Sequence, residues 1–291
     1  METIEVEDGR VIAYDEWGDL SGRPMFQLHG TPGSRLGRHP DATLYPSLHL
    51  HVITIDRPGY GGSTAVPGRR VSHAAHDVAA VADELGLERF LVVGGSGGGP
   101  HALACAAELG DRVLGCAPVA SAAPLIPTEI DGLLGINQKA HQVLADSGRD
   151  GMVEFLGALR EHFLADPLGT LDTQLADAPK ADIEWTQRED VRTVLREATI
   201  EALRPGVDGW VDDSVSIFRD DWGIELGSAR CPVRFWHSDD DKNGPLSSIE
   251  RLVAAIPGAS LRVWSGEGHT APARHLDDIL QDLIDTADGE R

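Results

Sequence analysis

The sequence predicts an α/β fold: a mostly parallel sheet of the eight-stranded type with helices on both faces, and a helical subdomain inserted into it. Three observations carry this. Short apolar, β-branched runs alternate with segments of helical periodicity through residues 1–124 and again through 229–291. Between them, residues 125–228 contain helical patterns and no convincing strand, with Pro124 and Pro127 marking the break. And a glycine-rich turn, Gly94-Gly95-Ser96-Gly97-Gly98, lies between a strand-like run and a helix-like one.

Taken in order, Ile4–Val6 and Val11–Trp17 alternate in polarity and meet at Asp8-Gly9, a hairpin signal. Pro24–Leu28 is a short strand running into His29-Gly30-Thr31-Pro32-Gly33-Ser34. Arg35–Leu48 reads as an irregular helix, with Pro40 and Pro46 inside it. His51–Asp56 is the next buried strand, followed by a tight loop, Asp56-Arg57-Pro58-Gly59-Tyr60-Gly61-Gly62-Ser63. Val71–Leu87 has helical spacing through Val78, Val81 and Leu85. Phe90–Val93 reads as a buried strand, Pro100–Leu109 as a helix with Pro in its first turn, and Val113–Pro118 as a strand. Inside the insertion the helices expected are Asp131–Asp146, Gly151–Leu164, Gln187–Leu203 and Gly209–Trp222. The alternation then resumes with Val233–Trp236 (strand), Leu246–Ile256 (helix), Ser260–Trp264 (strand) and Ala273–Thr286 (helix). Such alternation implies a parallel sheet covered on both faces.

Composition narrows the function classes. The chain has 291 residues, 47 acidic against 25 basic, and a formal charge of −22, which argues against nucleic acid or an anionic membrane as partner. The insertion alone carries 9 basic and 21 acidic residues. No apolar run approaches the roughly 20 residues of a membrane helix, and the acidic start, Met1–Asp8, is unlike a signal peptide; a cytoplasmic location is expected. Cys105, Cys116 and Cys231 are far apart in apolar segments and read as buried reduced thiols. Neither Cys nor His falls at zinc-ligand spacing, so neither metal nor cofactor is expected, and the implied partner is a small-molecule substrate. The preference for Arg over Lys suits a GC-rich bacterial genome.

The chemistry starts at Ser96. A serine on a sharp strand-to-helix turn needs very small neighbours, and the turn lifts its hydroxyl out of the sheet beside a helix N-terminus. A phosphate-binding loop is the competing reading, but the Lys of G-x-x-x-x-G-K-[ST] is missing. Downstream, the strand ending at Trp236 runs into His237-Ser238-Asp239-Asp240-Asp241, and the last strand leads to Gly266-Glu267-Gly268-His269. The order Ser, Asp, His, all beyond the C-terminal ends of strands, is that of a nucleophile, an orienting acid and a general base. A serine hydroxyl needs a base to take its proton; a histidine titrates in the right range; a carboxylate on its other ring nitrogen fixes the tautomer. By residue type alone, any of the three aspartates could serve.

In these residues the chain resembles the α/β-hydrolase family over nearly its whole length outside the insertion. His29-Gly30-Thr31-Pro32 resembles the family's H-G-x-P loop, Asp56–Ser63 its D-x-x-G-x-G-x-S loop, Gly94–Gly98 its nucleophile elbow and Gly266–His269 its terminal G-x-G-H. The resemblance implies a catalytic domain of residues 1–124 and 229–291 and a helical cap of residues 125–228. It implies Ser96, Asp241 and His269 as the triad and the backbone N–H groups of Thr31 and Gly97 as the oxyanion hole, with His29, Gly30, Gly94 and Gly98 as supporting loop residues. Asp241 is selected because the family pattern H-G-x-x-D-x-x-x-P falls on His237, Asp241 and Pro245; Ser238 and Gly244 depart from it, and Asp239 is the runner-up. His29 and His101 read as hydrogen-bonded packing residues, Asp56 and Ser63 as loop staples, and Trp185, Trp210, Phe218 and Trp222 as subdomain core from which one or two line the pocket.

Ser96 stands where dehalogenases and epoxide hydrolases of this family use an Asp, and the insertion has no tyrosine. Acyl transfer to water remains, with a carboxylic ester, lactone or thioester as substrate. The alternatives are an aminopeptidase of the proline-iminopeptidase type, with the acidic cap capturing an amine, and hydrolysis of a carbon–carbon bond. In another class is a hydrolase-like small-molecule receptor.

Overall fold

The computed structural model describes residues 1–289. Eight strands form one sheet: β1 (Glu2–Glu5), β2 (Val11–Gly18), β3 (Arg23–Leu28), β4 (Leu50–Ile55), β5 (Phe90–Gly95), β6 (Val113–Val119), β7 (Arg234–Ser238) and β8 (Ser260–Trp264). Their order is β1-β2-β4-β3-β5-β6-β7-β8. β2 pairs antiparallel with β1 and β4; every pairing from β4 to β8 is parallel.

The period-two pattern of the strands decides which side chain faces which layer. Phe26, Val92, Cys116 and Phe235 face one way, into a core completed by α2 (His73–Glu84), α3 (Gly98–Glu108) and α10 (Leu246–Ala255). Their neighbours Met25, Leu91, Ala117 and Trp236 face the other way, onto Ile279, Leu280 and Leu283 of α12 (Leu276–Gly289). Fully burying a Val, Leu, Ile, Phe or Met side chain contributes roughly 1.5–3 kcal/mol of transfer free energy, so a strand buried on both faces is mostly apolar. Leu50–Ile55 is buried at every position.

The chain leaves β3 to build β4 on one side and returns past it to build β5 on the other. The ends of β3 and β5 are therefore neighbours, with Leu28 paired to Gly94, and the loops that follow diverge from a topological switch point.

Between β6 and β7 stand α4 (Pro127–Ile130), α5 (Gly135–Ala165), α6 (Pro167–Gln174), α7 (Lys180–Thr186), α8 (Glu189–Leu203) and α9 (Asp208–Ile217). α5, α6, α8 and α9 share a second core, which includes Met152, Leu156, Phe163, Trp210 and Val211 and is joined by Tyr60 from the loop after β4. The two helices expected over 131–146 and 151–164 are the two arms of α5, broken at Gly148, whose φ is +60°. α4, α6 and α7 are short and have no counterpart in the sequence reading.

The helix expected over Arg35–Leu48 is a correction: only α1 (Leu44–Ser47) forms there. Polar side chains, one distant and one local, claim the backbone first. Arg35 donates its N–H to Asp56 Oδ1 at 2.7 Å, and Asp41 Oδ1 accepts from the N–H and hydroxyl of Thr43. The terminal helix is also split, α11 (Ala271–Arg274) preceding α12. Of the three cysteines, Cys105 and Cys116 are buried as expected, whereas Cys231 is half-buried.

Candidate active site

Ser96 has φ +53°, on the turn between β5 and α3. The left-handed backbone is held from three sides: Ser96 N–H donates to Val119 O, and Ser96 O accepts from Gly99 and Ala122, all at 3.0 Å. Three glycines of the turn, Gly94, Gly97 and Gly98, leave no room for a side chain. A Cβ at Gly94 would run into the Gly98 carbonyl, and one at Gly97 would collide with Thr31 Oγ1 and come within 3.1 Å of Thr31 N. Gly97 thus packs directly against the Thr31 side chain and N–H beside Ser96. Among the described residues, neither of their N–H groups donates to a protein acceptor.

Across the cavity, His269 Nδ1 lies 2.8 Å from Asp241 Oδ2. The other carboxylate oxygen of Asp241 accepts the N–H groups of Asn243 (2.8 Å) and Gly244 (3.2 Å). Asp239 and Asp240 do not reach the histidine: Asp239 staples the β7 and β8 loops through Ser265 and Gly266, and Asp240 pairs with Lys242 at the surface. Burial opposes the charged form of both partners in the Asp241–His269 pair, but each favours the other's charge. The Asp241 carboxyl is held below the usual range and the His269 imidazolium is favoured, raising its pKa above 6.5. A carboxylate acceptor at Nδ1 places the proton there and leaves Nε2 as the free base.

The remaining sequence-singled residues build the loops. His29 bonds the Gly30 carbonyl through Nδ1 at 2.8 Å and accepts Arg57 N–H at Nε2. Burial and the nearby Arg57 keep it neutral. His101 caps the Gly97 carbonyl at 2.7 Å and is pushed down to about 3 by burial and Arg57. Asp56 and Ser63 are staples: Asp56 bonds Arg35 and the Gly62 N–H, and the Ser63 hydroxyl donates to Asp56 O at 2.6 Å.

Two residues of the helical insertion, which no motif marks, reach into these loops. Asp213 of α9 is fully buried and accepts Thr31 Oγ1–H at 2.7 Å, Tyr60 O–H at 3.0 Å, Arg57 Nη2 at 2.5 Å and Arg69 Nη2 at 2.6 Å. Arg57 continues to the carbonyls of His29 and Gly30. Burial alone would raise the Asp213 carboxyl; Arg57 and Arg69 outweigh it and hold it well below the usual range. Asp182 of α7 is 2 % exposed and accepts the N–H of His269 (2.8 Å), the N–H of Thr270 (2.9 Å) and the Thr270 hydroxyl (2.7 Å). Behind Asp213 the backbones touch: Gly59, at φ +87°, packs so close to Gly209 that a Cβ would lie 2.7 Å from Gly209 N. Arg57 was at least visible within the Asp56–Ser63 loop; Asp182 and Asp213 gave no signal.

Ser96 and His269 line one cavity of about 390 Å³ between the sheet and the insertion. Its insertion side is Trp185 and Thr186 of α7 with Val191, Val194, Leu195 and Ala198 of α8. Of the four aromatics singled out in the insertion, Trp185 lines the cavity; Trp210 is buried in the insertion's core, Trp222 is buried in the core of the sheet and not, as expected, in that of the insertion, and Phe218 stacks on His141 at 3.8 Å. Among the described residues no group of three or more His, Cys, Asp or Glu is placed to hold a metal ion, and no helix is long and apolar enough to cross a membrane.

The fold recurs in known proteins. Residues 23–275 match the family model of the alpha/beta hydrolase fold. The chain is 28% identical over 287 residues to a non-heme haloperoxidase of Rhodococcus erythropolis, covering 98% of both chains. It is 25% identical to a bifunctional esterase/perhydrolase of Acinetobacter calcoaceticus, again over 98% of both. A thermophilic esterase from Thermogutta terrifontis superposes with a TM-score of 0.69 over 98% of each chain at 20% identity, a likeness of fold. With the elbow serine, the switch-point loops and a family match spanning the sheet and the insertion together, the chain belongs to the α/β hydrolase fold family.

Proposed function

We propose that this hydrolase cleaves an ester-type bond of a small molecule (a carboxylic ester, lactone or thioester) through Ser96, His269 and Asp241. One observation carries the reading: a left-handed serine and an Asp-paired histidine face the same cavity, with two unpaired N–H groups beside the serine.

His269 Nε2 takes the Ser96 hydroxyl proton as Oγ attacks the carbonyl carbon. The N–H groups of Thr31 and Gly97 receive the oxyanion; losing one such donor costs about 3–4 kcal/mol of transition-state stabilisation. Asp241 stabilises the imidazolium, which returns the proton to the departing alcohol or thiol. Water then attacks the acyl-enzyme by the reverse roles, releasing the acid. The insertion, residues 125–228 in this reading, is the cap that closes the cavity and sizes the substrate.

An aminopeptidase reading loses its main support. The insertion is acidic, but among the described residues no carboxylate lines the cavity, so a substrate ammonium would find no partner there.

Labelling with a fluorophosphonate probe followed by peptide mapping, beside a 4-nitrophenyl ester chain-length series, tests the proposal. Modification at Ser96 with rapid turnover is expected. Labelling with one slow, self-modifying event would point to a receptor instead, and no labelling of folded protein would overturn the triad.

A further inference from the structure

The cavity disagrees in charge with the molecule around it. The chain has 47 Asp and Glu against 25 Lys and Arg, yet among the described residues its cavity is lined by no Asp or Glu. It is lined by one arginine, Arg38, with His39 next to it.

Arg38 is set apart from the other buried or half-buried arginines. Three residues earlier, Arg35 holds Asp15, Asp56 and Glu201 at 2.6–3.1 Å. Arg57 and Arg69 share Asp213. Arg38 has no carboxylate within ion-pairing distance among the described residues, and its Nη1 is cut off from solvent with no acceptor. Its guanidinium stacks over Trp17, Cζ 3.6 Å from the ring centroid. Stacking satisfies the face of the cation and fixes its plane; it leaves the in-plane N–H donors, which a carboxylate engages, without partners. With so many acids in the sequence, a counter-ion was easily available, and a cation held this way at a cavity wall is an incomplete pair.

We infer that Arg38 is the anion subsite of this cavity, and that the substrate cleaved at Ser96 is an acid monoester or lactone-acid carrying a carboxylate remote from the scissile carbonyl. The inference rests on the ester reading above and adds the substrate's charge to it. A bound carboxylate completes the stack on Trp17, while the apolar surface of α8 covers the chain between the two ends.

Two matched ester pairs test it. The first is 4-nitrophenyl hexanoate against mono-4-nitrophenyl adipate, with the charge on the acyl side. The second is pentyl acetate against 5-acetoxypentanoate, with the charge on the alcohol side. In at least one pair the charged ester is expected to have the higher kcat/KM, by about tenfold or more. Arg38→Gln should erase that advantage through KM, lowering kcat/KM for the charged ester about tenfold more than for the neutral one, with Arg38→Lys in between. A preference for the neutral ester in both pairs, or an Arg38→Gln variant that slows charged and neutral esters alike, overturns the subsite. If no ester is hydrolysed, the ester reading has failed but the subsite is still decided by calorimetry with two uncleaved amides. Adipamate binding more tightly than adipamide, with the difference lost in Arg38→Gln, upholds it; equal binding rejects it.

Discussion

Asp213 and Asp182 do the same task by different physics. Each comes from the helical insertion and grips one end of the reaction centre, Asp213 the Thr31 loop and Asp182 the His269 loop. Asp213 is one anion among two buried arginines, a tyrosine and a threonine. Asp182 instead meets two backbone N–H groups and a hydroxyl, with Arg274 no nearer than 3.9 Å. In the first the charge is indispensable, because without it two guanidinium groups lose their counter-ion in the interior. In the second the two oxygens act as acceptors, and the charge reaches the imidazole through space, helping Asp241 to favour its protonated form. In the proposed mechanism, fold integrity and tuning of the base thus fall to different carboxylates of one insertion.

Substitutions can separate the two. The largest expected effect is at the centre both serve: Ser96→Ala should lower ester turnover by at least about 10³-fold with an unchanged melting curve, and a folded, fully active variant would remove the reason for either grip. Next is Asp213→Asn, expected to destabilise by about 3–5 kcal/mol and lower Tm by roughly 6–20 °C; a melting point within a degree or two of the parent would mean the arginines do not need the charge. Asp182→Asn should melt much nearer the parent but lower kcat roughly ten- to a hundredfold as the histidine loop loosens. Its pH profile is the sharper readout. His269 must be neutral to act as base, its pKa is raised, and Asp182 contributes to that rise; removing the charge should move the acid limb of kcat/KM to lower pH. An unmoved acid limb would reduce Asp182 to a purely structural contact. The smallest effect is expected at Trp185→Ala, which should shift the chain-length optimum of the ester series upward, by about tenfold at most in relative kcat/KM.

What could be read from the sequence follows the same division. The strands are short, and their alternation shows within a few residues. Ser96 with its glycines and the run to His269 are local motifs, so the fold and the candidate residues beyond the strand ends were legible. Asp241 could be separated from Asp239 and Asp240 only by resemblance, since the distinction lies in which carboxylate turns inward. Arg35–Leu48 misled because Asp56, twenty-one positions away from Arg35, claims its backbone N–H. Asp182 and Asp213 were illegible for the same reason at longer range: Asp182 meets the His269 N–H across 87 positions, and Asp213 meets Thr31 across 182. No local pattern encodes such a pairing, and 21 acidic residues in the insertion hide two.

The backbone contact of Gly59 with Gly209 bears on how this enzyme can be rebuilt. It fuses the Arg57 loop to the start of α9 with no side chain between them, so the insertion is not a module that can be exchanged between relatives at its two chain crossings. A chimera that keeps this sheet and borrows another insertion would have to bring a small residue against Gly59 and an acid for Arg57 and Arg69. Lacking them, it would lose the shape of the Thr31 loop before its new pocket met a substrate. Recombination libraries for this scaffold should therefore carry the Asp56–Ser63 loop and α9 as one inherited block.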